Sequence, residues 1–565
     1  MKPLLFPPSS ASKPTSREAR RRRASVSTAG VEAALPARTD SISPQLVAAG
    51  VPPQTSRRGK AAGGAELRVA VLKTPRLFAL LLLLPLLATA ADPIALASRR
   101  ELFVDRLLID KLTGAAELRL HEPQPREVAL KFDQPWEGRF SAYITVLHDE
   151  RAGTFRMYYR GNNVAKDGGS GECTCYAESP DGIRWTKPNL GFHEIAGSRE
   201  NNVMLAQMPP YTHNFAPFLD RRAGVPDDQR FKALAGLGGK NGGLCAFASG
   251  DGLHWRKLQE APVITKGAFD SQNVSFWSEA EQCYVAYFRI FTGGTIDAQT
   301  WAPKGVRWVS RATSPDFVQW SDPIAMTCDQ PLVDHIYISQ TQPYVRAPHY
   351  YLSTAARFMP GKAVLDAGQK ATLADDAKKY PTLTHDCSEA VLMTSRAGST
   401  LFNRTFMEAL IRPGPDYRNW TSRSNYPACG VVETSPTELS LFVERQYGQS
   451  AAHLQRFTLR TDGFASLHAA YAGGETLTHP LTFTGKELRV NAATGVTGSI
   501  AIELQDAAGQ PLPGFAAAEC NAFTGDDTDL PVTWKTNPDL SALAGQPIRL
   551  RILLKDADLY ALQFR

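Results

Sequence analysis

Between residues 140 and 465 the chain is a succession of short stretches in which apolar or aromatic positions alternate with polar ones. Examples are Thr154-Phe-Arg-Met-Tyr-Tyr-Arg160, Gln282-Cys-Tyr-Val-Ala-Tyr-Phe-Arg289 and Gly305-Val-Arg-Trp-Val-Ser-Arg311. A period of two belongs to strands with one buried face, and nothing between them sustains the period of a long helix. A repeated phrase punctuates these strands. Ser-x-Asp-Gly-x-x-Trp occurs at Ser179-Pro-Asp181-Gly182-Ile-Arg-Trp185 and at Ser249-Gly-Asp251-Gly252-Leu-His-Trp255, with degraded copies at Ser314 to Trp320, Ser395 to Phe402 and Leu459 to Phe464. Counted from the Asp position (181, 251, 316, 397, 462), the copies stand 70, 65, 81 and 65 residues apart, which makes five units. In such a phrase Asp accepts backbone N–H bonds, Gly takes a positive φ, and the aromatic tucks against the neighbouring unit. Each unit reads as about four antiparallel strands, and five units closed radially predict an all-β, five-bladed β-propeller with a central funnel. An open array of β-sandwiches is the alternative.

From Gly473 the texture changes to regular short strands, Leu488-Arg-Val-Asn, Ser499-Ile-Ala-Ile-Glu503, Ile548 to Leu554 and Tyr560-Ala-Leu-Gln-Phe564, which predict a C-terminal β-sandwich. The expected organisation is a basic, disordered segment over 1–74, a secretory signal over 75–91, the propeller over 92–470 and the sandwich over 471–565.

Charge changes the picture in one respect. The net +6 comes from the first 76 residues, which hold 14 of the 62 Lys and Arg and 4 of the 56 Asp and Glu, leaving 48 against 52 in the rest. The globular part is mildly acidic, so nucleic acid is not an expected partner. The first segment, with Arg20-Arg21-Arg22-Arg23, lacks apolar periodicity. Lys73-Thr-Pro-Arg76, the apolar run Leu77 to Leu87 and Ala88-Thr-Ala90 then supply the parts of an export signal, too short for a spanning helix. Such signals begin near a chain start, which places the expected start codon near Val69 or Val71. The reading is a secreted or periplasmic monomer without stable membrane insertion. Eight scattered cysteines are too sparse for a disulfide framework, and Cys173 and Cys175 fall on one face of a strand. No cofactor and no metal site are expected.

A five-bladed propeller followed by a β-sandwich resembles the fructan-hydrolase clan, glycosyl hydrolase family 32 with families 43, 62 and 68. Several phrases are similar to secreted bacterial proteins described as glycosyl hydrolase family 32-like: Leu102-Phe-Val-Asp105, Ser179 to Gly191, Glu200-Asn-Asn-Val203, Thr394-Ser-Arg396, Ala409-Leu-Ile-Arg-Pro-Gly414 and Lys555-Asp-Ala-Asp-Leu-Tyr560. The clan's Trp-x-Asn-Asp-Pro-x-Gly and Arg-Asp-Pro phrases are absent. The resemblance implies a glycan substrate, an oligo- or polysaccharide, and glycoside hydrolysis through paired carboxyl groups.

Hydrolysis of a glycoside needs two carboxyl groups, about 5.5 Å apart for retention and about 6.5–9.5 Å for inversion. In a propeller the opening residues of each inner strand face the funnel. Those positions nominate Glu137 and Asp270 as catalytic, with Asp133 second in the first unit and Glu433 able to complete a pair. Trp136, His213, Asn214, Gln272, Gln342 and Tyr344 are the expected sugar contacts. Each carboxylate has an alternative role, capping a turn or pairing with an arginine, and Arg160, Arg289 and Arg311, at strand ends, read as such partners. Two rival functions stay open, a glycan-binding propeller without turnover and a scaffold for protein contacts.

Overall fold

The structure, a computed structural model, describes residues 92–162, 168–238, 242–296, 301–536 and 539–565. The basic segment and the export signal read from the sequence lie outside the described residues.

Five antiparallel sheets follow one another and form the propeller. Blade I comprises Ala142–Asp149, Thr154–Gly161, Cys173–Ser179 and Val203–Ala206. Blade II comprises Ala216–Leu219, Phe231–Ala235, Cys245–Ser249 and Arg256–Lys257. Blade III comprises Val274–Ser278, Cys283–Ile296, Trp301–Ser314 and Ile324–Ala325. In blade IV both His335–Ile338 and Thr341–Tyr344 pair with Ala347–Met359, which pairs in turn with Cys387–Arg396. Blade V comprises Val432–Ser435, Glu438–Arg445 and His453–Arg460, and its fourth strand, Gln124–Lys131, comes from before blade I. The chain thus closes its own ring. At the seam between blades V and I, Val146 N donates to Cys429 O and Cys429 N to Ile144 O, both at 2.8 Å. A Cβ on the next residue, Gly430, would stand 2.1 Å from Val146 O, so the two inner strands meet this closely only because that residue is glycine.

The repeated phrase sits after the third strand of each blade. In blade I Asp181 Oδ1 accepts from Ile183 N and Arg184 N at 2.9 and 2.8 Å, Ser179 Oγ accepts from Gly182 N at 2.9 Å, and Gly182 has φ 71°. Blade II repeats this around Asp251, with Gly252 at φ 78°. In blade III Phe317 replaces the glycine at φ 70°, and its ring is fully buried against Phe218, Tyr284 and Trp320. That burial offsets the strain of a left-handed non-glycine residue. Trp185 tucks against Phe442 of blade V, 5.7 Å between ring centroids. Cys173 and Cys175 bring their sulfurs to 3.7 Å on one face of their strand, and all eight cysteines are free.

The rest of the chain forms one mixed sheet of eight strands. Ala465–Thr478, Leu481–Phe483, Leu488–Asp506, Asp526–Val532 and Ile548–Phe564 are joined by Ile94–Ala97, Arg100–Leu102 and Ile109–Leu120. These last three, which the sequence reading left with the propeller segment, hydrogen-bond into this sheet, and Ile109–Leu120 pairs with Ala465–Thr478. Its core holds Leu467, Phe483, Leu488, Ile502, Trp534, Leu550 and Leu559. A second core runs without a break from blades IV and V into the sheet, through Tyr350, Leu352, Leu441, Phe457, Phe464, Leu102 and Ala561.

Candidate functional site

Inner strands of blades I and II, II and III, III and IV, and V and I lie side by side. Their first residues therefore converge on one mouth. Below it, hydrogen bonds cross the ring: Gln272 of blade III donates to Ile144 O at 3.1 Å and Thr145 Oγ1 at 2.9 Å of blade I. Gln340 of blade IV donates to Gln272 Oε1 at 2.7 Å and to Pro427 O at 2.9 Å. These buried amides close the funnel floor.

Asp270 precedes the inner strand of blade III. Its side chain is 41% exposed, its Oδ1 lies 3.1 Å from His213 Nε2, and its Oδ2 lies 3.9 Å from Arg289 Nη2. Enclosure in the mouth would raise its pKa, but the His213 bond and the Arg289 charge overcome this and hold the carboxyl well below the usual range. His213 itself is fully buried, with Nδ1 3.0 Å from Glu172 Oε1 of blade I. Burial, and next the Arg160 guanidinium, push its pKa down; the bonds to Asp270 and Glu172 outweigh both and leave it above the ordinary value. Nε2 faces Asp270, while Nδ1 faces two donors as well as Glu172, Arg160 Nη1 at 3.1 Å and Gly168 N at 3.2 Å, so the ring stands where both carboxylates and the arginine meet.

Arg160 links this bridge to blade V. It donates to Phe140 O at 2.9 Å and to Tyr447 Oη at 3.2 Å, approaches Glu172 Oε1 to 3.6 Å, and stacks 4.7 Å from the Tyr143 ring centroid. Beside it lies Glu444, 2% exposed, whose Oε1 has no hydrogen-bond partner among the described residues. Burial drives its pKa well above the carboxylate range, against the opposing charges of Arg160 and Arg423. The surroundings thus push these two carboxyl groups in opposite directions, Asp270 down and Glu444 up, with Arg423 a charged neighbour of both. Its wall is aromatic: Phe140, Tyr143, Tyr337, Tyr426 and Tyr447 pack together, with Tyr380 against them.

Backbone strain collects here. Tyr143, Gln340, Arg423 and Asn425 all have positive φ, between 50° and 69°. The Arg423 loop is pinned by Asn425 Nδ2, which donates to Ser388 O and Asn419 O, and by Ser422 N to Leu383 O, each at 2.8 Å. Strain retained at such a place points toward function rather than stability.

The other nominated residues lie in different surroundings. Glu137 is fully buried within blade I, where it accepts from Tyr159 Oη at 2.5 Å, Lys187 Nζ at 2.7 Å and Gln134 N at 3.0 Å. Exposed Asp133 shares Lys187 at 3.1 Å, and Trp136 donates to Asn202 Oδ1 at 2.8 Å. Neither Glu137 nor Asp133 contacts the Asp270 cluster among the described residues. Glu433 stands 3.8 Å from Arg346, which also binds Asp462 against Arg100 and Asn491 of the C-terminal sheet. Tyr344 donates to the same Asp462 at 2.7 Å, and Gln342 reaches Cys429 Sγ at 2.9 Å. Asn214 clasps Gly236 O, Phe269 O and Ser271 O, joining blades II and III. His213 alone of the nominated sugar contacts touches Asp270. The three strand-end arginines do meet acids: Arg311 binds Glu281 at 2.7 Å, and Arg160 and Arg289 belong to the mouth. Among the described residues no group of three or more His, Cys, Asp or Glu is placed to hold a metal ion.

No family model matches the chain, and no curated protein matches it. Solved structures do. The chain is similar to an N-acetylgalactosamine deacetylase from F. plautii in complex with blood group B trisaccharide, at 12% identity and TM-score 0.39, covering 62% of this chain and 96% of that one. It is similar to a family 43 arabinoxylan arabinofuranohydrolase from Bacillus subtilis in complex with cellotetraose, at 12% identity and TM-score 0.35, covering 78% and 99%. A fructofuranosidase from Schwanniomyces occidentalis complexed with fructosylnystose gives 10% identity and TM-score 0.32, covering 78% and 98%.

Proposed function

We propose that the chain is an exported glycoside hydrolase that works at the funnel mouth, with Asp270 as the ionised carboxylate and Glu444 as the carboxyl that keeps its proton. The observation that carries this is the opposed pair: two carboxyl groups around one arginine, driven apart in pKa by their surroundings. Glu444 gives its proton to the glycosidic oxygen as the C–O bond breaks. Asp270 meets the anomeric carbon directly or takes a proton from the water that attacks it, and the two courses differ in the anomer released.

Glycan binding without turnover is the competing reading, and the deep burial of Glu444 favours it, because a substrate has to displace its cover to take the proton. A polysaccharide panel with reducing-end detection separates the two. Turnover by the native chain that disappears in Asp270→Asn and Glu444→Gln, while glycan binding persists, supports hydrolysis. Binding with no turnover in the native chain decides for the alternative.

A further inference from the structure

Three guanidinium groups surround one ring at the mouth. Arg289, Arg423 and Arg307 lie 4.6, 5.3 and 5.5 Å from the Tyr337 ring centroid. They come from blade III, the loop before blade V, and blade III again, so the fold rather than a local run of sequence gathers them. Against these three charges stands Asp270, at 3.9 Å from Arg289. Arg307 and Arg423 have no carboxylate within 4 Å among the described residues. The partner of Arg307 is His335 Nδ1, at 3.2 Å from Nη1, and burial together with the Arg307 charge depresses the His335 pKa, so this partner is a neutral ring that neutralises nothing. Arg289 Nε and Arg307 Nε are buried without a hydrogen-bond acceptor.

Several buried cations elsewhere do meet carboxylates, although buried Arg445 is held by the Asn425 and Gln455 amides with no carboxylate within 4 Å among the described residues. Arg396 has Glu101 and Asp105, Arg357 has Asp334 and Glu389, and Lys232 has Asp220. Stacking on tyrosine compensates an arginine in part, but less than a desolvated guanidinium gives up when it leaves water. Burial, and next the Arg289 charge, lower the Arg307 pKa, with Arg423 adding to this.

We infer that the funnel takes an acidic glycan, whose anionic substituent, a uronate carboxylate or a sulfate ester, is drawn to Arg307 and Arg423, the two half-buried members of the arginine group around Tyr337. This rests on the reading of the mouth as a glycan site and adds the charge class of the sugar. Guanidinium forks suit planar or tetrahedral oxyanions, and the enclosed, arginine-lined mouth concentrates the field that draws them in.

The test uses matched pairs that differ only in charge: polygalacturonate with its methyl ester, and a sulfated galactan with its desulfated form. Binding to the full exported chain is measured by calorimetry at two salt concentrations. At least one acidic member should bind tenfold or more tighter than its neutral counterpart, with the preference shrinking at high salt. A response to the first pair alone identifies carboxylate, and to the second alone sulfate. In Arg423→Gln and Arg307→Gln the preference should fall at least fivefold, and Arg423→Lys should recover part of it; near-UV circular dichroism and the Lys variant show that the fold is kept. Equal binding within both pairs, or a preference untouched by both Gln variants, overturns the inference. Turnover of neutral glycans alone would keep the hydrolytic reading and overturn this one. Charge-selective binding without turnover would do the reverse.

Discussion

Glu444 shows how one residue reports on the whole mouth. A carboxyl whose folded pKa lies above its unfolded value, near 4.3, binds its proton more tightly in the native state. Stability is then fullest below that pH and falls as pH rises toward the folded pKa, by up to about 1.4 kcal/mol per pH unit. Glu444→Gln keeps the shape and removes the titration. The thermal midpoints of native and variant chains should therefore agree near pH 4 and diverge by pH 8, with the variant the more stable. Parallel midpoints across that range would mean that Glu444 is ionised in the fold. Asp270 is the opposite case, held ionised by the His213 bond and the Arg289 charge, so Asp270→Asn should lower the midpoint at pH 7, with the deficit narrowing in acid, and reduce turnover about a hundredfold or more. A steady-state assay on any substrate the panel identifies checks this, and undiminished turnover would remove Asp270 from the reaction.

At the scale of elements the repeated turn carries much of the architecture, and its glycine can be tested against a control. Gly252 and Gly153 both have positive φ, 78° and 62°, but a Cβ at Gly252 would meet Tyr158 Oη at 2.6 Å, whereas Gly153 has open space. Gly153→Ala should cost about 1–2 kcal/mol, the backbone strain alone. Gly252→Ala should cost more, and denaturant unfolding of both variants reads the difference. Equal losses would mean that the blade II turn relaxes around an added methyl. This contrast also explains what was legible in the sequence. The Ser-x-Asp-Gly-x-x-Trp phrase works through bonds two or three residues apart, so five units, and from them five blades, follow from the chain alone. The fourth strand of blade V does not, because Gln124–Lys131 meets its partner His453–Arg460 across the whole length of the propeller. The site divides in the same way. Asp270 was legible as the opening residue of an inner strand. Glu137 has the same sequence position, but Lys187, brought in from the turn after the blade's third strand, turns its carboxylate inward. Glu444 went unnoticed within Leu441-Phe-Val-Glu-Arg445, although an acid on the buried face of an apolar strand is itself a signal. Of the arginines around Tyr337, Arg289 was legible as a strand end that meets an acid, while Arg307 and Arg423 have no sequence signature.

At the scale of the molecule the propeller and the C-terminal sheet are bound by a shared core and by buried ions. Glu101, on an N-terminal strand of the sheet, is fully buried, 2.9 Å from Arg396 of blade IV, and accepts from Tyr350 Oη at 2.8 Å with His349 Nε2 at 3.1 Å. Burial alone would raise its pKa; the His349 bond and the Arg396 charge bring it down to about 2. Its stabilisation is present above the unfolded carboxyl pKa and is lost as pH falls toward 2. Removing one member of so enclosed a pair strands the other, so Glu101→Gln should destabilise the chain by about 3 kcal/mol at pH 7, with the deficit narrowing in acid. The same geometry sets how the molecule unfolds. Blade V runs directly into the sheet through Asp462 and Ala465, and the chain returns from the sheet through Leu120 to Gln124 and completes that blade. A sheet that melted first would release the strand that closes the ring. Calorimetry of the native chain should therefore show one transition, in which sheet and propeller are lost together, and Glu101→Gln should lower it as a single peak. Two resolved transitions, with the propeller surviving the sheet, would show that the N-terminal strand holds blade V without the sheet behind it, and that the ring is closed by its own hydrogen bonds alone.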